Sequence, residues 1–249
     1  MRRTKLLLAI IVVLVTTFFG FVIFQQQELS DYVRPLLLPM VLVMYCASGY
    51  SKSTYFFLFL LLYSLAEFLT VAYYNSALTE LFEDPLYYLC NTLYIFAYIF
   101  LTIEVLRNME LSKIFSRFSI HLIILLILDI YCVMLVTDVA VKSGALVYTV
   151  DHVLEFTYNV VIMALLTITL VNYLHRDTKK AMNLLLGSLC IVFSEVIQVA
   201  YYYVSEITIL SIAYNLLLIL AFVFFYLQIG MSTESSMQNK PAVPTEVEA

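Results

Sequence analysis

Two carboxylates stand inside apolar sequence. Glu67 opens the stretch EFLTVAYY, residues 67–74, and Glu195 opens EVIQVAYY, residues 195–202. Placing an acidic side chain at the centre of a membrane helix costs about 2.5 to 3.5 kcal/mol. Two of them forfeit on the order of 5 kcal/mol, as much as the net stability of a small domain. Such side chains turn away from lipid, toward the interior of a helix bundle, where they pair with a cation or carry a proton. A neutral acid beside an ionised one is the arrangement that general acid–base catalysis uses. The plainer role for both is hydrogen bonding between helices. Offsets of three and seven share a helix face, so Thr70 and Tyr74 extend one polar stripe and Gln198 and Tyr202 extend the other.

The elements that must position these groups are membrane helices. Of 249 residues, 63% are hydrophobic and 12% charged, about half the ~25% charge of soluble domains. The mean hydropathy is +0.96. Apolar stretches of roughly 20 residues cover about 5–25, 33–48, 53–75, 86–106, 117–138, 147–174, 178–203 and 207–229, which predicts an all-α, polytopic protein with eight transmembrane helices. The strict alternation of β-barrel strands is absent. The second stretch is short and opens on Arg34-Pro35, with proline expected in a first helical turn. The N-terminal run has the basic start and apolar middle of a signal peptide but no small-x-small cleavage site, and is read as an uncleaved first helix. Residues 1–230 form the expected transmembrane domain. The polar, proline-containing tail 231–249 is expected to be disordered and cytoplasmic.

Charge placement gives an orientation. With the N-terminus inside, Arg2, Arg3, Lys5, Lys52, Arg107, Lys113, Arg117, Arg176, Lys179, Lys180 and Lys240 fall on the cytoplasmic side, and only Arg34 and Lys142 fall outside. That asymmetry follows the positive-inside rule and puts both termini in the cytoplasm. Glu67 and Glu195 then lie in spans three and seven, both in the outer half. The two echoing stretches are four spans apart, which permits a parallel four-plus-four internal repeat.

No span carries Lys or Arg at its middle, and Arg34 is the cation closest in depth to both acids. The other polar groups of the outer half are Asn91, Asp129, Asp151, His152, Glu155, Asn159 and Asn215. Acids outnumber bases, so one carboxylate is expected to carry a proton. Tyr73, Tyr74, Tyr87, Tyr88, Tyr148 and Tyr201 to Tyr203 map to outer helix ends, where a chain without Trp needs an interfacial aromatic belt. Cys46, Cys90, Cys132 and Cys190 fit no metal spacing and are expected to pack as small hydrophobes. His121, His152 and His175 lie at different depths, so no metal centre is expected. No Ser sits in a G-x-S-x-G context, no basic run suggests nucleic acid, and no cofactor is implied. The expected partner is membrane lipid.

Four segments together resemble the lysoplasmalogenase-like YhhN family of eight-span membrane proteins. RPLLLPMVLVMY from Arg34 is similar to the family's basic-Pro-Leu opening of span two. LLYSLAEFLTV from Leu61 resembles its Ser-x-x-Gly-Asp segment, LLLGSLCIVFSEVIQVAYYY from Leu184 its Gly-rich span ending in Ser-Asp, and AYNLLLILAFVFFYLQIG from Ala213 its Tyr-containing last span. The match extends over most of residues 30–230. This chain has Glu67 and Glu195 where the family has Asp, Ala66 where it has Gly, and Tyr98 where it has His.

What the resemblance implies is hydrolysis of the vinyl ether bond of lysoplasmalogens. Glu67 and Glu195 would be catalytic, in a two-carboxylate logic like that of glycoside hydrolysis. Arg34, Asn91, Tyr98, Asn159, Gln198 and Tyr214 would be the substrate-binding candidates, with Arg34 on the lipid phosphate. Intramembrane acids equally suit a proton-coupled small-solute transporter, against which the scarcity of Gly and Pro near both acids counts. The missing His fits a catalytically inactive lipid-binding member.

Overall fold

Backbone amides have no water to bond in a bilayer core, so an apolar run without strand alternation must satisfy them within a helix. The computed structural model describes residues 2–24, 26–48, 52–74, 83–107, 109–144 and 146–231. Its helices are α1 (Arg2–Ile23), α2 (Gln27–Ala47), α3 (Thr54–Tyr74), α4 (Glu83–Leu106), the short α5 (Leu111–Arg117), α6 (Ser119–Lys142), α7 (Thr149–Arg176), α8 (Lys179–Tyr203) and α9 (Thr208–Leu227), with a final 3-10 turn at Gln228–Gly230. No strand occurs among the described residues. The protein is all-helical and embedded in a membrane. Six helices (α3, α4, α6, α7, α8 and α9) are long and apolar enough to cross, and α1 and α2 carry shorter apolar stretches, Ala9–Ile23 and Tyr32–Ala47.

The helices follow the apolar runs of the sequence closely, with two differences. Helix α2 begins at Gln27 rather than near residue 33, so Pro35 and Pro39 both lie inside it and neither occupies the first turn. Each proline removes one ladder hydrogen bond. Membrane helices tolerate that loss where neighbouring helices and side chains satisfy the freed groups. The second difference is α5, a single amphipathic stretch too short to span, pinned by buried Ile114. Residues 232–249, nearly all of the tail expected to be disordered, lie outside the described residues, as do the side chains of Tyr73 and Tyr74.

Local signals set the turns. Helix α7 ends where Asp177 adopts the left-handed conformation (φ 46°), which a short polar side chain tolerates better than most. The next residue, Thr178, caps α8 by accepting from the Ala181 amide at 3.2 Å. At the other end of α7, Asp151 accepts from the Val147 and Tyr148 amides and from the Tyr88 hydroxyl at 2.6 Å, which ties α7 to α4.

The tightest seam joins α8 and α9. A Cβ on Gly187 would lie 2.4 Å from the Phe225 ring, so glycine is what lets the two helices meet there. Higher in the same seam the Ser194 hydroxyl donates to the Tyr214 carbonyl at 2.7 Å. Small and hydroxylated residues are the usual cement of membrane helix pairs, because lipid leaves little hydrophobic force between helices. Phe225 itself meets Phe59 of α3 edge-on at 5.6 Å, and Phe222 stacks on Phe59 at 6.0 Å. These rings, with Tyr63, Leu101 and Ile191, form the packed centre of the bundle. Helix α6 lies at its edge, with only Val133 and Ala140 buried. Two polar contacts dock it on α7: Thr167 to Asp129 at 2.6 Å, and Asn159 to Thr137 at 3.1 Å.

Candidate functional site

Seven helices leave a cavity of about 350 Å³ between them, walled by α1, α2, α3, α4, α7, α8 and α9. It lies toward the end where α1, α3 and α8 finish and α2, α4 and α9 begin, since Val22, Val71 and Tyr202 line it together with Ser30, Tyr87 and Ser211. Glu67 and Glu195 both line it. They are 3% and 9% exposed, so each sits inside the bundle and not against lipid.

Each acid has its own partners. On one side the Arg34 guanidinium of α2 approaches Glu67 at 3.3 Å, with the carboxylate side chain 4% exposed and the arginine 20%. The Tyr94 hydroxyl of α4 donates to the same Glu67 oxygen at 3.2 Å. Arg34 also stands over the Tyr214 ring of α9, 5.6 Å from its centroid, a cation–π contact. Its Nε is buried and has no hydrogen-bond partner. A guanidinium has five N–H donors in a fixed fork, so one long contact to Glu67 leaves most of them free for an anion.

On the other side the Tyr98 hydroxyl donates to Glu195 at 2.7 Å. Tyr98 is fully buried, and its ring lies edge-on to Tyr63 at 5.8 Å and to Tyr158 at 5.9 Å. Tyr63 in turn meets Tyr94 at 4.8 Å. A cluster of four phenols, Tyr94, Tyr63, Tyr98 and Tyr158, therefore lies between the two acids. Its hydroxyls can donate or accept, and they add no formal charge.

Of the eight residues singled out in the sequence, Glu67, Glu195, Arg34, Asn91, Gln198 and Tyr214 line this one cavity. Tyr98 lies behind the wall and acts on it through Glu195. Asn159 is not brought to the site. Its amide donates to Thr137 and to Glu155, both at 3.1 Å, in the seam between α6 and α7. Along α8, Glu195, Gln198 and Tyr202 face the cavity together, and in α3 Thr70 joins Glu67 there. Tyr201 and Tyr202 line the cavity, the two residues being also at a helix end.

Sequence reasoning passed over Tyr63, Tyr94 and Tyr158. A signal existed: Tyr87, Asn91, Tyr94 and Tyr98 recur at helical spacing down one face of α4, and Tyr63 precedes Glu67 by one turn. In a chain with 20 Tyr that stripe does not stand out by composition.

An ion-paired carboxylate, a second acid among neutral phenols and an arginine with spare donors can bind an anionic head, deliver a proton and take one back. No group of three or more His, Cys, Asp or Glu side chains is placed to hold a metal among the described residues. No family model, no curated protein and no solved structure matches this chain.

Proposed function

We propose that this chain is an eight-span membrane lipid hydrolase of the lysoplasmalogenase-like YhhN type, with both termini cytoplasmic, that cleaves a vinyl ether bond by two-carboxylate acid–base catalysis. The observation that supports this reading is the convergence of Glu67 and Glu195 on one cavity with different partners. Glu67 faces a guanidinium, which suits the base of the pair. Glu195 faces phenols, which suits the acid. The echo of α3 in α8 is consistent with a four-plus-four repeat that supplied one acid from each half.

The chemistry balances within the pair. Glu195 gives its proton to the vinyl carbon remote from the ether oxygen, which leaves an oxocarbenium ion at the neighbouring carbon. Glu67 stabilises that cation and takes a proton from the water that adds to it. The hemiacetal then collapses. Its hydroxyl proton passes to Glu195, the carbon–oxygen bond to glycerol breaks, and Glu67 returns its proton to the departing oxygen. A fatty aldehyde and a glycerophospho-headgroup result, and both acids regain their starting states. The free N–H groups of Arg34 hold the phosphate. Tyr98 orients Glu195, where the family pattern has a histidine.

A second reading, lipid binding without turnover, draws on that same Tyr98, because a phenol is a far weaker base at neutral pH than an imidazole. Reconstituted protein given lysoplasmenyl-ethanolamine separates the two. Hydrolysis requires aldehyde release by the wild type and its loss in Glu67→Gln and Glu195→Gln. Retained lipid with no aldehyde establishes binding alone, and unchanged release in both variants removes the two-carboxylate mechanism.

A further inference from the structure

A second cavity, of about 260 Å³, lies between α1, α2 and α9. It shares Phe18, Arg34, Glu67 and Asn215 with the polar cavity, so the Arg34–Glu67 pair stands in the wall common to both. Beyond that junction its character changes. Its walls are aliphatic and aromatic down to Met44 on α2 and Leu227 on α9, and among the described residues the one further polar group in a lining side chain is the Tyr226 hydroxyl. From Arg34 to Met44 it descends α2 by roughly 15 Å at the helical rise per residue, half the thickness of a bilayer's hydrocarbon core. The slot is therefore elongated along α2 and α9, the shape of an extended hydrocarbon tail.

We infer that the α1/α2/α9 cavity is the chain site of a phosphate-bearing amphiphile whose head occupies the polar cavity and whose hydrocarbon tail runs past the Arg34–Glu67 pair toward Met44 and Leu227. The two cavities adjoin at this pair. An apolar slot alone could hold anything apolar. At its upper end this slot abuts a guanidinium with unused donors and an unpartnered buried Nε, beside a polar chamber. Head and tail therefore have adjoining compartments, and the bond that joins them lies at the junction, beside Glu67. The inference rests on the proposed hydrolysis only for where the scissile bond lies; the binding geometry stands without turnover. It also makes the cavity a ruler, because its described lining ends at Met44 and Leu227.

The test uses the full-length protein in detergent and a probe that cannot be cleaved: radiolabelled hexadecyl ether lysophosphoethanolamine, with its octyl homologue. Val41→Trp and Ile219→Trp fill the cavity at mid-depth. Leu36→Trp places the same bulk on an exposed face of α2. The filling variants should weaken hexadecyl binding about tenfold or more and octyl binding much less, with Leu36→Trp unchanged. Hexadecyl binding as in the wild type in both filling variants, or an equal loss for both probes, overturns the inference. Should the filling variants not fold, the wild type alone decides. Affinity must rise from octyl to hexadecyl and fall for docosyl, and a continuous rise overturns the ruler. Binding as expected with no cleavage of the vinyl ether lipid sinks the hydrolase and leaves the chain site. Cleavage indifferent to tail length does the reverse.

Discussion

The Tyr98 hydroxyl of α4 donates to Glu195 of α8 at 2.7 Å, between two side chains that are 0% and 9% exposed. Tyr98 itself has no access to solvent. Tyr98→Phe should therefore cost about 1–3 kcal/mol of stability, the penalty of leaving a buried polar atom without its partner. Under the proposed hydrolysis it should also lower kcat of aldehyde release more than it raises KM, since the phenol would then position an acid rather than hold lipid. Thermal unfolding in detergent and steady-state kinetics check the two halves separately.

The Arg34–Glu67 pair makes a coupled prediction. Glu67→Gln leaves a partly buried guanidinium without its counter-ion, and Arg34→Gln leaves a buried carboxylate without one. Each should destabilise by up to about 3–5 kcal/mol, with the arginine's partial exposure reducing the figure. The double variant should cost less than the two single losses together, because no unpaired charge remains. A double-mutant cycle on thermal or denaturant unfolding measures the difference, and strict additivity would show that the contact carries no energy.

Gly187 and Phe225 give a packing prediction independent of function. Gly187→Ala puts a methyl 2.4 Å from the Phe225 ring, and overpacking of this kind typically costs about 1–3 kcal/mol. Phe225→Leu in the same chain should recover part of the loss by vacating that space. Comparing the melting temperatures of the single and double variants tests it.

Much of this arrangement was legible in the sequence, for physical reasons that particular residues make plain. Glu67 and Glu195 were visible because a carboxylate in an apolar run needs a reason, and Arg34 because it was the sole cation near their depth. What the sequence could not show is rotation about a helix axis. Asn159 shares its depth with the site residues and differs from them only in the face it presents, which packs on α6. Tyr63 and Tyr94 were obscured for a different reason: they sit mid-helix in a chain with 20 Tyr, where one more tyrosine draws no notice. The start of α2 was misjudged because proline was read by soluble-protein rules, whereas Pro35 and Pro39 sit inside the helix.

Asn159 supplies the converse test. Asn159→Leu removes its bond to Thr137 across the α6–α7 seam and its bond to Glu155 within α7, and a lost interhelical bond in a membrane is worth about 0.6 kcal/mol, at most about 2. Stability should fall by that modest amount while aldehyde release per folded molecule holds. A large loss of kcat with stability intact would return Asn159 to the site.

Helix α6 contributes no residue to either cavity. Its long side chains at Ile123, Ile127 and Met134 look outward. The chain thus carries its own spectator, a helix whose outer surface reports on whatever surrounds the bundle without touching either cavity within. A fluorophore or spin label set there would read bilayer thickness, lipid order or the approach of a neighbour, while both cavities kept their linings.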